Sequence, residues 1–206
     1  MPDFLLEQKA ASSGYRSVCG IDEAGRGPWA GPVVSAAVVI EDAKLFNELL
    51  SVIDDSKKLR RSKREFVCEA VKPLVAFGYG IASVHEIDEL NILNATMLSM
   101  RRAVSDLPVN IDFALVDGNQ NPEIPGVLSE CVIKGDSKSF SIAIASILAK
   151  VARDKIMSSL SAKYPGYGWS INAGYGTKKH RRALRELGIT PEHRKTFKPI
   201  RKILGG

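Results

Sequence analysis

The sequence predicts an α/β fold in which a body of five strands is followed by a helical, basic appendage. Three observations carry that prediction. Short apolar runs rich in β-branched residues alternate with longer segments of helical period. Two of those runs end in a carboxylate followed within three residues by glycine. The charge also changes sign along the chain: residues 150–206 hold 14 Lys/Arg against 3 Asp/Glu, whereas the first 149 hold 15 against 20.

Residues 1–16 read as a polar lead-in. Val18-Cys19-Gly20-Ile21-Asp22 is the first strand, and Val33 to Ile40, β-branched and Ala-rich, is a buried second one. The Gly/Pro-rich stretch Gly25 to Pro32 between them points to a hairpin. Lys63 to Pro73 reads as a helix ended by its proline. Leu74 to Val84 is a third strand interrupted by Gly78-Tyr79-Gly80, and Ile87 to Leu107 is one long amphipathic helix. Phe113 to Asp117 is a strand, Asn119 to Pro125 a loop, and Leu128 to Ile133 the fifth strand. Gly135-Asp136-Ser137 then leads into a helix from Ser139 to about Leu160, whose Ala143, Ala145, Ser146 and Ala149 allow close packing on a sheet. The Tyr/Gly/Pro stretch Tyr164 to Gly176 changes the character of the chain. Short basic helices follow over Thr177 to Gly188 and from Pro191 onward.

A chain of 206 residues suits one compact unit, divided here into a lead-in (1–16), a catalytic body (17–160) and a basic C-terminal lobe (161–206). Phe4-Leu5-Leu6 is too short for a signal-peptide core, and Val33 to Ile40 is too short to span a bilayer. A cytoplasmic protein without a membrane partner is therefore expected, and a monomer. Cys19, Cys68 and Cys131 include no CxxC pair, which argues against a zinc ribbon or redox dithiol and for reduced thiols. The net charge of +6, gathered in the C-terminal lobe, suits a polyanionic partner but equally a solvated basic surface.

The carboxylates say more. Asp22 and Asp117 end strands, Asp136 lies between a strand and a long helix, and Glu23 follows Asp22. Adjoining strand ends form the crevice where α/β sheets bind ligands. Acids brought there from distant segments repel one another unless a cation joins them, and hard oxygen ligands select Mg²⁺ or Mn²⁺. Side chains alternate along a strand, so Asp22 and Glu23 share a site only if the strand breaks between them, a break for which Gly25 and Gly27 supply the means. Taken singly, an Asp at a strand end is a turn former, and Asp136 serves equally well as the N-cap of its helix. Asp154, 18 residues beyond Asp136, is about 27 Å away on a continuous helix and is expected to pair with Arg153 or Lys150, or with a neighbouring loop. Asp54 and Asp55 read as caps of the helix that follows them.

At this point the residues resemble a family. Gly20-Ile21-Asp22-Glu23-Ala24-Gly25-Arg26-Gly27-Pro28-Trp29-Ala30-Gly31-Pro32-Val33 is similar to the opening signature of ribonuclease HII. Asp55-Ser56-Lys57-Lys58-Leu59, Val116-Asp117-Gly118-Asn119, Lys134-Gly135-Asp136 and the run from Ala145 to Asp154 agree in order, and Gly174-Tyr175-Gly176-Thr177 with His180 completes the set. The resemblance covers about residues 17–197. It departs at Trp29, where a Leu is common, and at Ile144, neither of them a carboxylate.

The resemblance implies a ribonuclease H-like fold, a mixed five-stranded sheet flanked by helices with a C-terminal helical extension. It implies a catalytic and metal-binding tetrad of Asp22, Glu23, Asp117 and Asp136 holding Mn²⁺ or Mg²⁺, two ions with substrate bound. The expected substrates are RNA–DNA hybrids and duplex DNA containing ribonucleotides, as in replication and repair. The cut falls 5′ to a ribonucleotide, leaving a 3′-hydroxyl and a 5′-phosphate. Gly25-Arg26-Gly27 and Tyr175 match the family's readers of the RNA–DNA junction: glycines let the backbone approach the sugar, and Tyr175 stacks beyond the junction. Lys178, Lys179, Arg181, Arg182 and Arg185 are expected on phosphates, as is Lys57 in a second cluster with Lys58, Arg60, Arg61, Lys63 and Arg64. A solvated helix face competes for that second cluster. His180 is expected near the site, and His85 and His193 as ordinary histidines.

Three rival readings weaken against these residues. A transposase or resolvase has no use for a 2′-hydroxyl sensor. A non-catalytic hybrid binder gains nothing from acids facing phosphates. A nucleotide-binding domain needs a helix, not a strand, after its glycine-rich turn.

Overall fold

β1 (Val18–Ala24) runs through the middle of a mixed sheet whose order is β3-β2-β1-β4-β5. The computed structural model describes residues 2–42 and 61–205. β2 (Val33–Val39) pairs antiparallel with β1, completing the expected hairpin, and β3 (Ala76–Ala82) pairs antiparallel with β2. β4 (Phe113–Asp117) and β5 (Leu128–Val132) extend the other side in parallel. Strand alternation divides the core: Ala36 and Val38 face one helical layer, while Cys19, Ile21, Ala37 and Val39 face the other.

Labelled in chain order, the helices are α1 (Leu5–Ser12), α2 (Arg61–Val71), α3 (Val84–Ser105), α4 (Phe140–Lys163), α5 (Trp169–Asn172), α6 (Lys178–Leu187) and α7 (Lys198–Ile203). On one face α4 and α2 bury Phe140, Ile144, Ile147, Leu148 and Val67 against β2. On the other, α3 buries Met100 and Ala103. Each large side chain so removed from water contributes about 1.5–3 kcal/mol. Glycine sets how near the helices come. A Cβ on Gly20 would lie 2.4 Å from the backbone of Ile142, and one on Gly80 1.8 Å from the carbonyl of Ser99. The Gly-Tyr-Gly that reads as an interruption of β3 is thus where α3 lies directly on the sheet.

Several expectations are corrected. The lead-in contains α1, anchored by Phe4 against Phe140 with ring centroids 4.8 Å apart and by Glu7, whose Oε1 accepts from Ser139 Oγ and Ser141 Oγ, both at 2.6 Å. The long helix of 87–107 begins earlier, at a capping box of Ser83 and Glu86, and breaks at Asn91, whose φ is 67°. Asn91 Oδ1 accepts from the amides of Leu93 (2.9 Å) and Asn94 (3.1 Å) and so caps the second segment. Leu74 lies in a 3₁₀ turn (Lys72–Leu74) before β3. Asp136 is not the cap of α4: it sits in the 3₁₀ turn Gly135–Ser137, and Ser139 caps the helix by accepting from the Ile142 amide at 3.2 Å. Asp54 and Asp55 lie outside the described residues.

The C-terminal segment returns onto the end of α4 and the loop after β1. Trp169, Tyr167, Leu184 and Ile200 close a core over Ala30 and Met157. Main-chain bonds from Trp29 N to Gly174 O, Gly31 N to Glu192 O and Arg194 N to Trp29 O, all 2.9 Å, stitch the two together. Among the described residues no helix is long and apolar enough to cross a membrane.

Candidate active site

Pairing between β1 and β4 ends at Ile21 opposite Val116, so Asp22 and Glu23 project past the last rung beside Asp117, the final residue of β4. β1 does not break between its two acids as expected. It continues to Ala24, with Asp22 opposite Ala36 and Glu23 opposite Ser35 on β2. The crevice is open because β4 stops, and that lets acids from alternate faces of β1 reach it. Asp22 lies on the α4 side with Gly20. Four helical residues on from Ile142, the Ser146 hydroxyl hydrogen-bonds Asp22. Two strand residues and four helical ones both advance about 6 Å, so the match follows from geometry. Asp117 Oδ1 accepts from the Gly135 amide at 2.6 Å, which ties the end of β4 to the turn carrying Asp136.

Asp22 and Asp136 are 5% and 7% exposed. Burial, then the charges of Glu23 and Asp117, push the Asp22 carboxyl well above the usual carboxylate range. Burial also raises Glu23, against the pull of Arg26, whose Nη1 lies 3.2 Å from Glu23 Oε1. Among the described residues no Lys, Arg or His forms an ion pair with Asp22 or Asp117. Nor, among them, are three His, Cys, Asp or Glu side chains gathered closely enough to hold a metal ion as they stand. Each carboxylate instead takes a protein donor: Asp22 Oδ1 accepts from the Glu23 amide (2.7 Å), Asp117 Oδ1 from the Gly135 amide, and Glu23 Oε1 from Arg26. Asp22, buried and without a cationic partner among the described residues, beside the carboxylates of Glu23 and Asp117, offers oxygen donors of the kind that suit a hard divalent cation.

Glu23, Gly25, Arg26, Gly27, Arg64, Ser146, Lys150, Arg153 and Tyr175 line a cleft of about 360 Å³ beside these acids. A Cβ on Gly27 would lie 3.3 Å from Tyr175 Cε1, so the glycine loop and the half-exposed tyrosine face each other directly. Two buried arginines hold that loop: Arg194, which the sequence does not single out, and Arg153, expected there only as a partner of Asp154. Arg194 donates to the carbonyls of Gly25 (2.6 Å), Arg26 (3.0 Å), Gly31 (2.9 Å) and Pro32 (3.2 Å). Arg153 donates to Pro32 (2.9 Å), Ala30 (3.1 Å) and Ala173 (3.0 Å). Burial pushes Arg153 down to about 10 and, with Arg153 as neighbour, Arg194 down to about 9. Both remain cations at neutral pH.

A second unforeseen arrangement holds Tyr175. The Thr190 amide donates to His193 Nδ1 at 2.9 Å, so the neutral ring carries its proton on Nε2. That proton goes to His180 Nε2, 3.0 Å away, and His180 Nδ1–H donates to the Tyr175 carbonyl at 3.0 Å. Trp169 Nε1 also donates to His180 Nε2, at 3.3 Å. Burial lowers both rings, His193 to about 4, which keeps this relay neutral. His180 therefore approaches the site through Tyr175, as expected, while His193 is more than an ordinary histidine. His85 is exposed and pairs with Glu89 at 3.3 Å.

Lys178, Lys179, Arg181, Arg182 and Arg185 share one exposed face of α6, opposite buried His180, Ala183 and Leu184. Arg181 is partly committed: its Nε donates to Gly176 O at 2.9 Å and its guanidinium lies 5.4 Å over the Trp29 ring. Lys57, with Lys58 and Arg60, lies outside the described residues. Arg61 is occupied by Glu65, Ser158 and the Ser170 carbonyl, while Arg64 reaches the cleft. Asp154 pairs with Lys150, as expected, and with Arg64 at 3.8 Å rather than with Arg153.

A mixed sheet with Asp22, Glu23 and Asp117 at the adjoining ends of β1 and β4, beside a helix preceded by a fourth acid, Asp136, has the layout of the ribonuclease H-like class of phosphodiester hydrolases. Comparison with known proteins narrows the class. The family model described as Ribonuclease HII matches residues 19–200. A ribonuclease HII of Paramagnetospirillum magneticum is 50% identical over 200 residues, 97% of each chain. The crystal structure of the ribonuclease H2 from Pyrococcus horikoshii OT3 superposes with a TM-score of 0.75 at 27% identity, over 91% of this chain and 97% of that one. A ribonuclease HII from Archaeoglobus fulgidus, solved as a PCNA complex, gives a TM-score of 0.77 at 27% identity, over 89% and 96%. The chain belongs to the ribonuclease HII family. It is a hydrolase, a type 2 ribonuclease H with endonuclease activity on RNA–DNA hybrids, and the family is metal-dependent.

Proposed function

We propose that this ribonuclease H also incises duplex DNA 5′ to single embedded ribonucleotides, leaving 3′-hydroxyl and 5′-phosphate ends. The observation that carries this reading is that Gly27 and Tyr175 face each other, with room for little more than a Cβ between them, in a cleft that also contains Glu23. A sensor of one 2′-hydroxyl must lie beside the acids and close on a single nucleotide from two sides.

Asp22, Glu23, Asp117 and Asp136 would hold the divalent ions. Bound there, Mg²⁺ or Mn²⁺ supplies Lewis-acid activation of the attacking water and neutralises charge at the leaving oxygen, most effectively as a pair. Asp22, buried and central, would be the principal ligand, with Glu23 and Asp117 beside it and Asp136 contributing from its turn. The amides of the Gly25–Gly27 loop receive the ribose and phosphate, because glycine leaves the main chain open to close approach. Tyr175 stacks on the sugar beyond the junction. Lys178, Lys179, Arg181, Arg182 and Arg185 hold the duplex backbone without reading sequence, and Lys57 is assigned to the same task. All these groups come from one chain, which supports a monomer, and the nucleic-acid substrate supports action in the cytoplasm. In the division into body 17–160 and basic lobe 161–206, the body then carries the acids and the glycine loop, and the lobe carries Tyr175 and the α6 cations.

The test is cleavage of a labelled duplex containing one ribonucleotide, with Mg²⁺, Mn²⁺ or a chelator, by wild type and Asp22→Asn. Metal-dependent cutting 5′ to the ribonucleotide, lost in the variant, is the expected outcome. Equal cutting of an all-DNA duplex would sink the reading.

A further inference from the structure

Arg194 is fully buried, and all four of its hydrogen bonds go to main-chain carbonyls. A buried cation ordinarily sits against a carboxylate, because desolvation is costly. The nearest acid by charge, Asp88, spends its oxygens otherwise: it accepts from the Lys195 amide (3.0 Å), the Thr196 amide (3.0 Å) and the Thr196 hydroxyl (2.7 Å). Asp88 thus anchors the segment that carries Arg194 and leaves the guanidinium to the loop.

What the guanidinium does to the loop follows from peptide geometry. In a trans peptide the C=O and the next residue's N–H point in opposite directions, and the described residues contain no cis bond. Arg194 draws the carbonyls of Gly25 and Arg26 inward, so the N–H groups of Arg26 and Gly27 are turned outward. Neither N–H has a hydrogen-bond partner among the described residues, and both residues line the cleft with Tyr175. Two adjacent donors aimed the same way form a receptor for a hydroxyl or phosphate oxygen, and the buried positive charge behind them strengthens it. Arg153 holds the far half of the same loop, at Ala30 and Pro32, and joins it to Ala173 beside the Tyr175 turn.

We infer that Arg194, backed by Arg153, is the positioning residue that orients the Arg26 and Gly27 amides and thereby sets discrimination for the ribose 2′-hydroxyl. This rests on the sensing role proposed above for the loop. Arg194 touches no substrate; it acts through four carbonyls.

The test uses the full chain carrying Arg194→Lys, which keeps the stem and charge but loses the fork, and Arg194→Gln. Binding is measured in chelator to two short duplexes that differ by one ribonucleotide, and single-turnover cleavage is measured with Mn²⁺. Affinity for the all-deoxy duplex stays within about twofold of wild type, since phosphate contacts carry it. The preference for the ribonucleotide duplex collapses towards unity. Cleavage at saturating substrate falls by about 10²-fold, the scale of a misplacement near 1 Å. Asp88→Asn, which loosens the anchor without touching the loop, shifts the preference in the same direction by less and keeps the question answerable if the arginine variants fail to fold. Unchanged preference and rate in a folded Arg194→Lys would overturn the inference. So would a proportional loss of affinity for both duplexes, the signature of a merely structural tie. Absence of any preference in wild type removes the sensing role itself, and the inference with it.

Discussion

The neutral state of His193 is dictated by its partners. Thr190 donates to Nδ1, the ring donates onward from Nε2 to His180, and Tyr167 and Trp169 enclose both rings. A charged ring would turn Nδ1 into a donor facing a donor. Burial, with His180 adding to it, therefore lowers the folded pKa from 6.5 to about 4. Between those values the unfolded chain binds a proton that the folded chain refuses, so stability falls as pH drops through that window and is intact above it. In His193→Gln that contribution is absent. Wild type should lose stability from pH 6.5 towards 4 more steeply than the variant, by up to about 1.4 kcal/mol per pH unit. Denaturant titrations at several pH values decide it: equal slopes would show that the relay does not hold His193 neutral. The same residues mark where sequence reading stops at this scale. Asp22 and Asp117 were legible because each ends an apolar run, although β1 itself continues to Ala24. His193, Arg153 and Arg194 were not, because their partners are main-chain groups brought in from distant segments, and a carbonyl leaves no trace in the sequence.

Helix α3 is held at its start by one side chain. Glu86 Oε2 accepts from the Ser83 amide (2.8 Å) and from Arg102 Nη1 (3.0 Å), and Oε1 accepts from Arg102 Nη2 (2.7 Å). Hydrogen bonding to Arg102, then to Ser83, holds its carboxyl down to about 2. Removing an N-cap interaction costs about 0.5–2 kcal/mol, and Glu86 is the N3 half of this capping box, so Glu86→Ala should shift the urea midpoint down at pH 7 with an unchanged slope. Because the folded pKa is depressed, the contribution is present above pH 4.5 and lost as pH falls towards 2. Wild type and variant should therefore converge in acid, and a gap that persists at pH 2 would mean the cap is not the cause. Five strands and their neighbours followed from apolar runs and turn residues. The break at Asn91 did not, since one left-handed residue leaves the helical spacing of its neighbours intact. Asp22 and Glu23 likewise share a crevice because a neighbouring strand ends, a property of β4 that β1 does not encode.

Across the whole molecule, the loop held by Arg194 has Glu23 on its cleft side and touches α6 through Trp29, over which Arg181 lies. The charge asymmetry was legible from the order of charges along the chain, but the sequence could not tell that the basic residues form one face rather than a scattered surface. α6 resolves this through its period, burying His180, Ala183 and Leu184 and leaving the cations outward. If that face holds duplex phosphates, each contact releases counterions and contributes about 0.9 to the slope of log affinity against log salt. Lys178 and Lys179 have no ion pair among the described residues, whereas Arg182 lies 3.6 Å from Glu186 and Arg181 is tied to Gly176. The double variant Lys178→Ala/Lys179→Ala should therefore lower the slope by about two, weaken binding alike for hybrid and ribonucleotide-containing DNA, and leave the rate at saturating duplex near wild type. Binding isotherms over a salt series measure all three. An unchanged slope would move the phosphate contacts off this face of α6, and a falling saturated rate would mean that these lysines do more than hold the duplex in register.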